Sequence, residues 1–149
     1  MSCLGAVLYD PAVAVSKATT TAIAMTALDT TNLRIAFTVP ASGRVLVRLA
    51  GTLHGATTFP QILLGVLEGT TVRGRTPPVL GGGNNAATTL NRVEAVFVVG
   101  GLTPAAQLTW DAAYGVETVV AATGLKYGGP NNATGNNAFG GFSFELWRA

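Results

Sequence analysis

The sequence predicts an all-β protein, an antiparallel β-sandwich or jelly roll of about eight to ten short strands. Three observations support this prediction. Apolar and polar residues alternate in many short runs, Gly, Pro and Asn separate these runs, and no segment has the apolar spacing of an amphipathic helix. Because no linker or internal repeat divides the chain, residues 1–149 are expected to form one domain.

The clearest alternation lies in residues 33–54, LRIAFTVPASGRVLVRLAGTLH. Its inward positions are Leu33, Ile35, Phe37 and Val39, followed by Val45, Val47 and Leu49. Turn-forming residues interrupt the pattern from Pro40 to Gly43. Leu46 is the apolar exception among the outward positions of the second run. We therefore expect a β-hairpin here, to which the other strands are added.

The segment before this hairpin contains two predicted strands. Ser2 to Tyr9 is short and apolar, and is either a first strand or, as residues 1–10, an arm that packs against a neighbour. Ile23 and Met25 alternate with smaller residues, which indicates a strand at about residues 21–27.

The middle of the chain contains a strand that is apolar on both faces. From Phe59 to Glu68, Ile62, Leu64 and Val66 alternate with Leu63 and Leu67. This pattern indicates burial on both sides, by the second sheet and by a neighbouring subunit. Gly65 indicates a bulge or a close backbone approach, and Thr71 to Arg75 indicates a short edge strand.

The last part of the chain contains further alternating runs. Thr88 to Val99 is a long strand with Val93, Ala95, Phe97 and Val99 on one face and Arg92, Glu94, Val96 and Val98 on the other. Strands are also expected at residues 105–113, once or twice within residues 116–127, and at residues 142–147, the last as a central strand. Loops rich in Gly and Asn occupy residues 81–85 and 128–141.

Composition limits the classes of function. Only 11% of the residues are charged, against about 25% in a typical soluble protein, which favours an obligate oligomer. Seven scattered arginines and a net charge of +2 do not form the clustered field that nucleic acid requires. No signal peptide or membrane-length apolar run is present, so we expect synthesis in a cytoplasm and no membrane partner.

Catalysis is not predicted. One cysteine, Cys3, and one histidine, His54, cannot form a disulfide or a metal cluster, and no nucleophile motif accompanies His54. Asp111 and Glu117, with aromatic residues nearby, are the only carboxylates that resemble a sugar site. We expect no catalytic residue, cofactor or metal. The candidate ligand loop consists of Trp110, Tyr114, Asn131 and Asn132.

Residues 27–49, ALDTTNLRIAFTVPASGRVLVRL, together with the Gly/Asn loop and the terminal FSFELWRA, resemble small structural proteins of tailed bacteriophages. The phrase FTVPASGRVLVR is similar to the first hairpin of jelly-roll domains of the tumour-necrosis-factor/C1q type. This resemblance implies a homotrimer in the virion, with no catalytic residues to transfer.

The preferred hypothesis is a non-enzymatic capsid decoration protein whose partners are its own copies and the major capsid protein or other virion proteins. The predicted interface consists of Ile62, Leu64 and Val66, with Arg44, Arg48 and Arg92 pairing with carboxylates of neighbours. The alternatives are a phage tail, receptor-binding or carbohydrate-binding module and, with the least support, a hydrolase that uses His54 or Asp111.

Overall fold

The structure is a computed structural model that describes residues 2–13, 15–18, 25–54, 61–76, 79–80, 90–116, 124–129 and 140–149. In chain order the strands of these residues are β1 (Cys3–Tyr9), β2 (Val15–Ala18), β3 (Thr26–Ala27), β4 (Arg34–Thr38), β5 (Val45–His54), β6 (Gln61–Glu68), β7 (Thr71–Arg75), β8 (Val79–Leu80), β9 (Leu90–Val99), β10 (Gln107–Val116), β11 (Gly124–Tyr127) and β12 (Phe142–Arg148). The chain is all-β, as predicted.

The strands form two antiparallel sheets of six strands each. In sheet A, β5 pairs with β9 along one edge, and along the other edge it pairs first with β12 and then with β11. β1 pairs with β12 and β2 with β11. In sheet B, β10 lies between β6 on one edge and β4 and β3 on the other, and β7 and β8 pair with β6.

The pairing of the eight longest strands is nested. Sheet A has the order β1-β12-β5-β9 and sheet B the order β4-β10-β6-β7. The first of these strands therefore pairs with the last, the second with the seventh, the third with the sixth and the fourth with the fifth. This arrangement is the strand order of a jelly roll, the second form of the predicted fold class.

The expected hairpin of residues 33–54 is wrong, although both of its strands exist. β4 pairs with β10 in sheet B, whereas β5 pairs with β9 and β12 in sheet A. The connection is bonded to residues 102–106 instead: Val39 N–H donates to the Ala106 carbonyl, and Leu102 N–H donates to the Gly43 carbonyl. The chain thus crosses from one sheet to the other at this turn.

Gly43 is required at this crossing. Its φ is +63°, and a Cβ atom there would lie 2.6 Å from the Leu102 carbonyl oxygen. The Gly43 N–H donates to the Pro40 carbonyl over 2.9 Å, which closes the turn. A residue with a side chain would be strained by both its backbone angle and this contact.

The core lies between the sheets and confirms the predicted alternation. Val45, Val47 and Leu49 of β5 are completely buried, and Ile35 and Phe37 of β4 are each 5% exposed. Phe142, Phe144 and Leu146 of β12 are also completely buried, and β12 lies between β1 and β5, as expected of a central strand. Period-two burial of this kind is what two packed antiparallel sheets require.

Several other predicted strands have different limits. β1 is an integral strand of sheet A, so the first of the two alternatives for the N-terminal segment is the observed one. β2 was not predicted, and β10 runs without interruption to Val116, beyond the expected end at Ala113. The described part of the strand expected at residues 21–27 is β3. The loop at residues 81–85 lies outside the described residues.

Gly65 has the predicted close backbone approach, because a Cβ atom there would collide with the Gly74 carbonyl and lie 2.9 Å from Arg75 Cβ. The pairing of β6 with β7 also shifts register between Val66 and Leu67. The edge strand expected at residues 71–75 is β7, which lies at the outer end of the path of sheet B.

One end of the core contains a buried phenol. Tyr127 is completely buried, and its ring centroid lies 6.0 Å from that of Tyr9 and 5.8 Å from that of Phe142. Its hydroxyl forms no hydrogen bond with any described residue. Burial, followed by the nearby charge of Asp29, raises the pKa of Tyr127 above its ordinary value.

We predict that Tyr127→Phe leaves the stability at neutral pH unchanged or raises it by up to about 1 kcal/mol, because it removes an unpaired buried hydroxyl. Because the pKa of Tyr127 is higher in the folded chain, the Tyr127 hydroxyl of the unfolded chain loses its proton at a lower pH. The free energy of unfolding of the unmodified chain should therefore fall above about pH 10, with up to about 1.4 kcal/mol per pH unit from this group. Denaturant titrations between pH 8 and pH 11 test this, and an equal alkaline slope in the variant would contradict it.

Candidate interaction surface

The aromatic residues of the candidate ligand loop lie in the core. Trp110 is completely buried, packs edge-on against Phe37 with ring centroids 4.9 Å apart, and donates from Nε1 to Glu68 Oε2 over 3.1 Å. Tyr114 is 4% exposed. Both residues belong to β10, the central strand of sheet B, so the prediction that they face a ligand is wrong. Asn131 and Asn132 lie outside the described residues.

The apolar residues predicted to contact neighbouring subunits are also core residues. Leu64 and Val66 are completely buried between the sheets, so they offer no surface to a partner, and their assignment to an interface is wrong. The reason is the central position of β6, whose inner face is directed towards sheet A. The side chain of Ile62 lies outside the described residues.

The chain itself covers the outer face of β6, for which a neighbouring subunit had been expected. Leu63 and Leu67, which alternate with the core residues, are each only 5% exposed. Opposite Leu67 lies Asp111, which is 2% exposed and receives two hydrogen bonds from Arg34, over 2.6 Å from Nε and 2.9 Å from Nη2. The outer side of sheet B is therefore closed here without a second chain.

The predicted interface arginines have different environments. Arg48 lies 3.0 Å from Glu94 and 3.8 Å from Glu145, so it pairs with carboxylates of its own chain. Arg92 donates from Nη1 to the Gly141 carbonyl over 3.1 Å. Arg44 is exposed beside the turn that it follows. The side chains of Arg48 and Arg92 are thus held by intrachain contacts.

Among the described residues, sheet A exposes three large apolar side chains on its outer face, whereas sheet B exposes one, Val72 on β7. Val96 is 53% exposed, Val98 44% and Leu8 70%. The strand register places them in rows across the sheet: Trp147, Leu46 and Val98 form one row, Glu145, Arg48 and Val96 the next, and Leu8, Ser143, Ala50 and Glu94 the third. We call these ten residues the outer face of sheet A.

An open groove lies within this face. It has a volume of about 360 Å³ and is lined by Leu46, Arg48, Val96 and Trp147. Trp147 donates from Nε1 to Glu145 Oε2 over 2.8 Å, which holds the indole ring at one side. Glu145 also lies beside Arg48, so opposite charges adjoin within the face. Aromatic residues and arginine are enriched at protein interfaces, so the presence of Trp147 and Arg48 in this groove suits an interaction surface.

This surface was missed by sequence reasoning, although a signal was present. Val96 and Val98 were placed correctly on the same face of β9, and Leu46 was identified as an apolar exception among the outward positions of β5. What the sequence did not indicate is that β9, β5 and β12 are adjacent. Without that adjacency, the three strands cannot be combined into one apolar face.

The described residues contain no evident reaction centre. No group of three or more His, Cys, Asp or Glu residues within them is placed to hold a metal ion. Asp111 forms an ion pair with Arg34. Glu117 and the side chain of His54, at the end of β5, lie outside the described residues. No helix in the described ranges has the length and apolar character needed to cross a membrane.

Comparisons with known proteins add no assignment: no family model matches the chain, and neither a curated protein nor a solved structure matches it.

The Arg34–Asp111 pair allows a stability test. We predict that Asp111→Asn lowers the free energy of unfolding by about 2 kcal/mol, because it weakens a doubly bonded carboxylate that is almost completely buried. The matched control is Glu94→Gln, which alters a pair between exposed side chains and should cost only about 0.5 kcal/mol. Urea titration measures both values, and equal losses would contradict the prediction.

The ion pair between Glu68 and Arg73 at the end of β6 predicts that the stability of the fold depends on pH in the acid range. Hydrogen bonds from Arg73, opposed by burial and assisted by the Trp110 indole, lower the pKa of Glu68. Because the pKa of Glu68 is lower in the folded chain than in the unfolded chain, the ionised carboxylate stabilises the fold at pH values above the unfolded pKa. This stability is lost as the pH falls through the pKa of the folded chain. Thermal melts between pH 7 and pH 3 should therefore show a smaller acid loss for Glu68→Gln. An unchanged acid profile would rule out this role for Glu68.

Proposed function

We propose that this chain is a non-enzymatic structural protein of a virion, specifically a capsid decoration protein that forms homotrimers on the shell of a tailed bacteriophage. The carrying observation is the exposed apolar outer face of sheet A in a chain with only 11% charged residues. A surface of this kind is usually covered by a partner.

The nested strand order supports the same proposal, because jelly rolls are common among viral capsid domains, although they also occur in lectins and cupins. Fold alone does not establish function. The second line of support comes from the resemblance of residues 27–49 and of the C-terminal strand to small phage structural proteins.

The disposition of the ionisable groups favours a structural role over a catalytic one. The carboxylates of Glu68, Asp111 and Glu145 all pair with arginines or indole N–H groups of the same chain. Catalytic groups instead need access to a substrate and a partner that tunes their proton affinity. On a shell, several copies that each make weak contacts would bind by avidity.

The alternative of a carbohydrate-binding module relied on Trp110 and Tyr114 as an aromatic platform, but both side chains are buried. Sugar recognition by stacking needs an exposed ring face. We therefore place this alternative below the virion proposal, and a glycan-binding assay with the unmodified chain tests it directly.

Light scattering on the purified chain across a micromolar dilution series tests the proposal. We expect a stable mass of three times 15.2 kDa. Shells of the encoding phage that lack the protein should then retain it during sedimentation and resist heating better than bare shells. A folded monomer that does not sediment with those shells would overturn the proposal.

A further inference from the structure

We infer that the outer face of sheet A is the surface on which a second copy of this chain docks. This inference rests on the proposed self-association and names the surface that carries it. The first step is the contrast between the two sheets. Leu63 and Leu67 on the outer side of sheet B are each 5% exposed, whereas Val96 and Val98 on the outer side of sheet A are 53% and 44% exposed. Sheet B also exposes Val72, at 42%, on its edge strand β7, but sheet A exposes Leu8, Val96 and Val98 together, so most of the exposed apolar area of the described residues is on sheet A.

The second step is continuity. Trp147, Leu46 and Val98 lie side by side on three adjacent strands, and Val96 lies opposite Arg48 in the next row. The apolar groove thus crosses strand boundaries and does not consist of isolated exposed residues.

The third step is charge, which favours a second copy over a highly charged partner. The side chains of Arg48 and Glu94 are 47% and 56% exposed and lie 3.0 Å apart. The ten residues of the face include one arginine and two glutamates and therefore carry a net charge of −1, whereas the whole chain carries +2. The rest of a second copy thus carries a net +3 and can present a surface of opposite sign to this face, in the head-to-tail contact that a closed trimer uses. Nucleic acid would require an excess of positive charge instead.

Two valines provide matched variants. Val98 on the outer face is 44% exposed and Val72 on β7 of sheet B is 42% exposed. We expect Val98→Glu to weaken self-association by at least about tenfold, because docking would bury an unpaired carboxylate. Val72→Glu should leave the mass unchanged. A second variant, Val96→Glu, places its carboxylate opposite Arg48, where pairing protects the fold.

Cys3 provides an independent readout, because it is exposed, is the only cysteine and pairs in register with Trp147. The rate of its reaction with a thiol reagent should fall as the concentration of the unmodified chain rises. The Val98→Glu chain should keep the fast rate at every concentration. Circular dichroism and thermal melts establish that each variant is folded.

The outcomes separate the two proposals. A trimeric unmodified chain with a dissociated Val98→Glu and an associated Val72→Glu supports the docking surface. If both Val98→Glu and Val96→Glu remain trimeric, the docking surface is overturned while the homotrimer stands. If Val72→Glu dissociates as readily as Val98→Glu, the assignment to sheet A is likewise overturned. A monomeric unmodified chain overturns the homotrimer and the docking surface together, and sedimentation with the shells then decides whether the chain still decorates a capsid.

Discussion

The sandwich depends on the sharp passage of the chain from β4 in sheet B to β5 in sheet A. The turn at Gly43 is bonded to residues 102–106, which themselves lead from β9 in sheet A to β10 in sheet B. The two crossings therefore stabilise each other at one end of the molecule. With β4 and β5 in opposite sheets, the strands that follow pair in the nested order, and the apolar faces of both sheets meet in one core.

The core between the sheets contains few polar groups. Trp110 is completely buried yet keeps its indole N–H bonded to Glu68, which Arg73 binds in turn. A buried donor without a partner would cost more than the bond itself contributes, so this chain of contacts allows a large aromatic residue to fill the interior. The same carboxylate is thereby unavailable for chemistry.

The two sheets differ in what their outer sides do. On the outer side of sheet B, Arg34 binds the nearly buried carboxylate of Asp111, and Leu63 and Leu67 are covered within the chain, while Val72 on the edge strand stays exposed. Sheet A leaves valines, a leucine and an indole on its outer side around a small charge cluster. A half-solvated antiparallel sheet normally carries polar residues there. This departure is the reason why we propose an interface on sheet A.

The sequence by itself determined the fold class, most strand positions, the inward residues of β4 and β5 and the two faces of β9 and β12, because side-chain alternation is a local property of a strand. It also placed Val96 and Val98 on one face of β9, together with Arg92 and Glu94. The sequence could not identify which strands pair with each other. β4 and β5 were predicted to form a hairpin, because the turn residues between them suit either a hairpin or a crossing between sheets. Trp110, Leu64 and Val66 looked available to partners because alternation separates two faces without telling which one is covered. Only the tertiary structure decided these points, since burial and the joining of Leu46, Val96 and Trp147 into one surface depend on contacts between residues distant in the chain.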